Sequence, residues 1–225
     1  MLTTIPLGII DSAGGRQYAT WSPVNKASSV ILPAGYGNLK FQTISPAQAG
    51  GTCISTIGMS TGKWYWEITV NAISSTSAVM CGIADSYKTT SAINIIGVYA
   101  NSIGYRPNTG SYTFCFFKNG IRQGLIGTCP NDILTNDVLS FALDMGSRTF
   151  TFYINGVQAG LPQTLPGLPA GGTTYYAVCG SDGVANNGGT ANFGQNAWVT
   201  DPLRPAIANT RNALFAAGYN RGIYN

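Results

Sequence analysis

An all-β fold, an antiparallel sandwich with a short C-terminal helical arm, is what this 225-residue chain predicts. Three observations carry the prediction. Apolar and polar residues alternate with period two through the middle of the chain, as half-buried strands require. Two Asn-Gly pairs separate such runs, and Asn-Gly is the strongest short hairpin signal because a type I′ turn needs positive φ at both positions. The one segment with helical spacing follows the last strand-like run.

Taken in order, the elements support that reading. Met1 to Gly15 has no basic flank and only a short apolar stretch, Ile5 to Ile10. It fits neither a signal peptide nor a membrane span, which needs about 20 apolar residues. The expectation is a soluble protein made without export. Short strands are expected near Val30, Phe41 and Ile54. In Lys63–Val70, Trp64, Trp66, Ile68 and Val70 share one face while Lys63, Tyr65, Glu67 and Thr69 share the other. Further short strands are expected near Val79, Val98 and Tyr112, and Asn119-Gly120 turns a hairpin between Phe116–Lys118 and Ile121–Gln123.

Leu139 through Ala159 reads as a three-strand meander. Leu139, Phe141 and Leu143 point one way, Phe150, Phe152 and Ile154 repeat the pattern, and the turns are Met145–Arg148 and Asn155-Gly156. Such apolar faces need a second layer over them. Leu161 to Gly172 holds Pro162, Pro166 and Pro169, which excludes a central strand and predicts a crossing loop. Strands near Tyr176 and Asn192 complete the set. After Trp198, Pro202 and Pro205 end the strand pattern; Ala206–Gly218 then places Ile207, Leu214 and Phe215 on one helical face, with Gly218 as a C-cap. The division expected is an N-terminal arm at 1–16, the sandwich at 17–199 and a C-terminal arm at 200–225.

Composition narrows the function. Only 9% of residues are charged, against roughly 25% in an average soluble domain, while 44% are hydrophobic, so the chain is folded rather than disordered. There is no His, which removes Ser-His-Asp, Cys-His and His-metal sites and the commonest general base near neutral pH. The 12 basic and 8 acidic residues are scattered, so no basic run tracks a phosphate backbone and nucleic acid is not an expected partner. Glycoside hydrolysis needs two carboxylates about 5–5.5 Å or 6.5–9.5 Å apart. The chain has one Glu and seven Asp, with no two at i, i+2 on a strand. Asp144 is expected to bond turn amides, Asp132 and Asp137 to flank a turn, and Asp85 and Asp182 to lie in loops. Asp182 with Asn186 and Asn187 offers oxygen ligands for calcium without the spacing of a known loop, so a plain turn is favoured. No metal or cofactor is expected. Five cysteines (53, 81, 115, 129 and 179) form no C-x-x-C pair and read as buried thiols of a protein made in a reducing compartment.

Four collinear segments resemble the SPRY (B30.2-like) domain: Gly62-Lys63-Trp64-Tyr65-Trp66-Glu67-Ile68-Thr69-Val70, Cys81-Gly82-Ile83-Ala84, Asp137–Asp144 followed by Phe150–Phe152 and Asn155-Gly156, and Ala191-Asn192-Phe193-Gly194-Gln195. The lead-in Ala19-Thr20-Trp21-Ser22-Pro23 with Asn38-Leu39 is similar to SPRY-like proteins encoded by tailed bacteriophages. The resemblance implies a concanavalin-like sandwich used for non-catalytic recognition through edge loops, with Trp64, Trp66, Leu143, Phe152 and Phe193 in the core. It transfers no functional residue.

The function expected is a virion component acting through protein–protein or glycan contacts: a tail-fibre, receptor-binding or head-decoration protein. It would be made in the host cytoplasm and bind other virion proteins, copies of itself, or a host surface glycan or protein. The alternatives are a glycan-active hydrolase on a lectin-like sandwich and a cellular SPRY interaction module. Loop candidates for a ligand are Tyr87, Tyr99, Tyr105, Arg106, Asn108 and Tyr112, whose rings stack on sugars while the polar groups hydrogen-bond. Arg204, Arg211, Leu214, Phe215 and Arg221 are the candidates of the C-terminal arm, which either packs on its own sandwich or docks on a neighbour. Removing 204–225 is expected to leave the sandwich folded.

Overall fold

The computed structural model describes residues 15–44, 51–73, 79–85, 96, 100–105, 116–119, 121–123, 133–166, 173–181, 186–198 and 200–225. In chain order the strands are β1 (Trp21–Lys26), β2 (Val30–Ile31), β3 (Lys40–Thr43), β4 (Gly51–Met59), β5 (Lys63–Ala72), β6 (Val79–Ala84), β7 (Ser102–Tyr105) and β8 (Phe116–Lys118). They continue as β9 (Ile121–Gln123), β10 (Val138–Asp144), β11 (Thr149–Ile154), β12 (Val157–Gln158), β13 (Gln163–Thr164), β14 (Tyr175–Ser181) and β15 (Gly188–Asn192). One helix, α1 (Pro205–Ala216), precedes β16 (Asn220–Arg221). Expected strands near Val98 and Tyr112 lie outside the described residues.

Two sheets stack. One has the order β1-β4-β14-β6-β7-β8-β9 and the other β12-β11-β10-β5-β15-β3-β2, with β13 on β11 and β16 on β5. The expected meander is β10-β11-β12: Phe141 pairs with Phe152 and, on the other side, with Trp66. Gln163–Thr164 departs from the crossing loop expected around it by pairing with the margin of β11, where the flanking prolines remove no interior ladder bond.

Rings from both sheets meet in the core. Trp66 stacks on Phe141 at 5.2 Å, and Tyr105 of one sheet stacks on Phe152 of the other. Trp21 meets Phe193 edge-on at 5.0 Å and gives its indole N–H to the Leu39 carbonyl at 2.8 Å, so its one polar atom is satisfied in the interior. Trp66, Leu143, Phe152 and Phe193 are buried as expected. Trp64 is only half-buried: it is the second residue of β5, gives its indole N–H to the Thr61 carbonyl and meets Tyr224 edge-on.

The segment expected to be an arm is built into this body. Helix α1 lies over β5 and against the Asn155-Gly156 turn before β12, and its Gly218 takes φ +86° while the Gly218 and Tyr219 N–H groups reach back to Phe215 and Leu214, a Schellman cap. The chain then runs parallel to β5 at Trp64–Tyr65, the stretch of β5 that β15 leaves unpaired. Ile223 enters the main core, its N–H bonding Phe193 and its carbonyl accepting from Ala19. Gly222 sits at φ +120° so close to the Phe193 carbonyl that a Cβ would overlap it. The terminal residues therefore lie in cis between Ala19, just before β1, and Phe193, just after β15, and removing 204–225 would take this contact away.

Candidate functional site

Strand directions sort the connections into two ends. At the proximal end lie the Ser60–Gly62 turn, the 145–148 turn and the β6–β7 connection. At the distal end lie the β5–β6, β7–β8, β9–β10 and β14–β15 connections and the Asn155-Gly156 turn. Of the candidates for a ligand, Tyr87, Tyr99, Arg106, Asn108 and Tyr112 lie outside the described residues. Tyr105 is corrected: it is the last residue of β7, fully buried against Phe152, and burial pushes its phenol well above its ordinary range. It is a core residue because Ile103 and Tyr105, at i and i+2, share the inner face.

Of the arm candidates, Arg204, Arg211, Phe215 and Arg221 make contacts within their own chain. Arg211 is 4% exposed, with Nε 2.9 Å from Glu67 Oε1 and its guanidinium 5.3 Å from the Trp198 ring centre. Tyr65 donates to the same carboxylate oxygen at 2.6 Å, and burial, then the neighbouring Glu67 charge, drives its phenol far above the usual range. Phe215 packs edge-on against Tyr65 at 5.5 Å and carries the Arg221 guanidinium over its outer side; Leu214 is half-buried. The polar face of β5 thus lies under α1, its buried ion pair satisfied on both sides.

Arg204 ties down the distal end. It bonds the Asn136 carbonyl at 2.8 Å, the Asn155 carboxamide oxygen at 2.9 Å and Asp201 at 2.6 Å, with Asp137 at 3.9 Å. The Arg204 bond, with the Leu203 N–H, holds the Asp201 carboxyl below its ordinary range. Thr210 adds a bond to the Gly156 carbonyl, and Gly156, at φ +80°, has no room for a Cβ against α1. Around this rigid node stand Leu203, Leu134 and Val157, 90%, 63% and 59% exposed. Each lies within two residues of a group that Arg204 bonds or of Arg204 itself. None of the three was legible in the sequence, because isolated apolar residues beside turns carry no periodic signal.

Every described side-chain carboxylate has a hydrogen-bond or ion-pair partner. Glu67 holds Arg211 and Tyr65, Asp85 accepts from Asn101, and Asp137 accepts from Leu134 and Asn155. Asp201 holds Arg204, and Asp144 accepts the Gly146 and Ser147 amides, as expected for a turn. Asn187, offered as an oxygen ligand for calcium, is buried and gives its amide to Ser181. Among the described residues no group of acids, Cys or His is arranged to hold a metal, and no helix is long and apolar enough to cross a membrane.

No known family's sequence profile matches the chain, and no curated protein matches it. Solved structures do. The SPRY domain of human HERC1 superposes with a TM-score of 0.56 at 16% identity, covering 76% of this chain and 96% of that one. The TRIM65 PSpry domain gives 0.55 at 18%, covering 78% and 92%, and a further human SPRY domain 0.54 at 11%, covering 77% and 99%. At these identities the likeness is one of fold: the chain is an all-β, SPRY-like antiparallel sandwich.

Proposed function

We propose that this chain is a non-catalytic virion component of a tailed bacteriophage, a tail-fibre, receptor-binding or head-decoration protein, that holds another protein at its distal rim. The observation that carries the binding role is the trio Leu134, Val157 and Leu203 standing in water around the Arg204 node. Exposed apolar side chains beside hydrogen-bonded turns are what a protein interface uses as anchors. It suits protein better than sugar, because branched aliphatic side chains offer neither a stacking face nor a hydrogen bond. The SPRY-like fold supports the same reading, since SPRY domains are interaction modules. The engaged carboxylates argue against the hydrolase alternative. The virion part rests on the phage-like lead-in at Ala19–Pro23 and on the charge-poor surface, which loses little side-chain entropy and desolvation energy in contacts.

The test is binding of purified protein to the other proteins of the particle and to itself. Leu203→Asp and Val157→Asp should abolish capture while leaving the melting temperature unchanged. Release of reducing sugar from host capsular or cell-wall glycan would overturn the non-catalytic reading. Counting copies separates the roles: a handful at the tail marks adhesion, hundreds on the shell decoration.

A further inference from the structure

Three cysteines form a row across the seven-stranded sheet. The ladders set Cys179 of β14 directly opposite Cys53 of β4 on one side and Cys81 of β6 on the other, and all three point into the core without exposure. The Cys53 and Cys179 sulfurs are 3.3 Å apart. Directly opposed residues of antiparallel strands have Cα atoms about 4.5–5.5 Å apart, inside the roughly 4.4–6.8 Å range that a disulfide spans. The bonded S–S distance is about 2.05 Å, so closure asks for just over an ångström of side-chain movement.

We propose that Cys53 and Cys179 are a modification site: a reversible cross-strand disulfide that locks β4 to β14 when the protein meets a peroxide-class oxidant, with Cys81 left reduced. The chemistry balances with a small oxidant. One thiolate attacks peroxide to give a sulfenic acid and hydroxide; the second thiol displaces water from that sulfenic acid and forms the S–S bond. In sum two thiols lose two protons and two electrons, and the peroxide becomes two waters. A bulky mixed disulfide has no space in this core, which selects peroxide over large disulfide reagents in the folded state. Burial, then the Cys53 contact, holds the Cys179 thiol well above its ordinary range, so oxidation of the pair is slow and takes peroxide in excess. The bond joins residues 126 apart in sequence, and a cross-link of that span restricts the unfolded chain severely. A protein made reduced and later exposed to an oxidising medium would harden in this way, whatever its rim binds.

The test uses the full chain in two arms: refolding from denaturant in a glutathione redox buffer, and treatment of folded protein with hydrogen peroxide. After alkylation in denaturant and non-reducing digestion, both arms should yield the Cys53 peptide joined to the Cys179 peptide, 2 Da lighter than the pair. The melting temperature should rise by about 5–10 °C and fall back with dithiothreitol. Cys81→Ala should give the same link; if that variant fails to fold, the map of the unaltered chain decides. Free, alkylated Cys53 and Cys179 in either arm, or a link to Cys81, Cys115 or Cys129, overturns the proposal. An unchanged melting temperature overturns the lock.

Discussion

The two sheets cover their outer faces with opposite chemistry. On the nine-stranded sheet the cover is α1, and what it buries is polar and aromatic: Glu67, Tyr65 and Ser140 of the sheet against Arg211 and Phe215 of the helix. On the seven-stranded sheet the cover includes Ile96, and what it buries is a small apolar cluster of Ile54, Met80, Ala84 and Val178. Gly104 makes this approach possible, since a Cβ there would overlap the Ile96 backbone. A polar cover fixes one register, because its charges tolerate a single arrangement; an apolar cover adds affinity without direction. The difference matters for the distal rim. The face with directional bonds is the one whose helix carries Arg204 at its start, and Arg204 bonds Asn136 and Asn155 at that rim.

The largest effect should come from breaking the clasp that follows α1. Deleting Tyr219–Asn225 removes the fully buried Ile223, the pairing of β16 with β5 and the bonds of Ile223 to Ala19 and Phe193. The loss should exceed about 5 kcal/mol, comparable to the whole stability of many domains. Urea unfolding followed by near-UV circular dichroism would show the truncated chain unfolded or molten at room temperature. A cooperative transition near that of the full chain would make the segment an arm after all.

Next comes the polar cover itself. Arg211→Ala leaves the Glu67 carboxylate buried without its cation and should cost about 3–5 kcal/mol. Replacing both partners, Glu67→Met with Arg211→Met, should recover most of that, because the penalty belongs to the orphaned charge. A double variant as unstable as the single one would show that the pair contributes beyond neutralising itself. On the apolar side Ile96→Ala should cost about 2–3 kcal/mol, the loss expected for trimming a buried aliphatic residue. If it exceeds the Arg211 effect, the ranking of the two covers is reversed.

These contrasts also mark what sequence could show. The sheets were legible because alternation is a local signal: Trp66, Ile68 and Val70, or Phe150, Phe152 and Ile154, declare a buried face within six residues. The cover of the opposite face was not, because Glu67 meets Arg211 across 144 residues and nothing near Lys63–Val70 announces it. The same holds for β16, two residues long and recognisable only once Trp64 and Tyr65 are seen to need a neighbour. At the site, Tyr105 misled because a phenol is amphipathic and Ser102–Tyr105 is too short to declare its inner face. Leu134, Val157 and Leu203 are ordinary exposed residues until folding gathers them.

The smallest predicted effect concerns a turn that serves neither cover. Asp144 ends β10 at the proximal end, accepts the Gly146 and Ser147 amides and faces Lys63 at 3.4 Å. Burial alone would raise its pKa; the Ser147 and Gly146 bonds and the Lys63 charge outweigh it, so the carboxyl titrates below its ordinary value. A carboxyl depressed in the folded state adds stability above its unfolded pKa of about 3.9, and that contribution disappears as pH falls through the lowered value. Asp144→Asn should therefore cost about 1 kcal/mol or less at pH 7. It should also flatten the decline of the melting temperature between about pH 4 and pH 2. The Tyr219 phenol, pushed up to about 12 by burial and then by the Asp144 charge, offers an internal check. Removing that charge in the same variant should let Tyr219 ionise earlier in an alkaline absorbance titration. An unchanged tyrosine titration together with an unchanged acid limb would mean that Asp144 holds its turn without coupling to its surroundings.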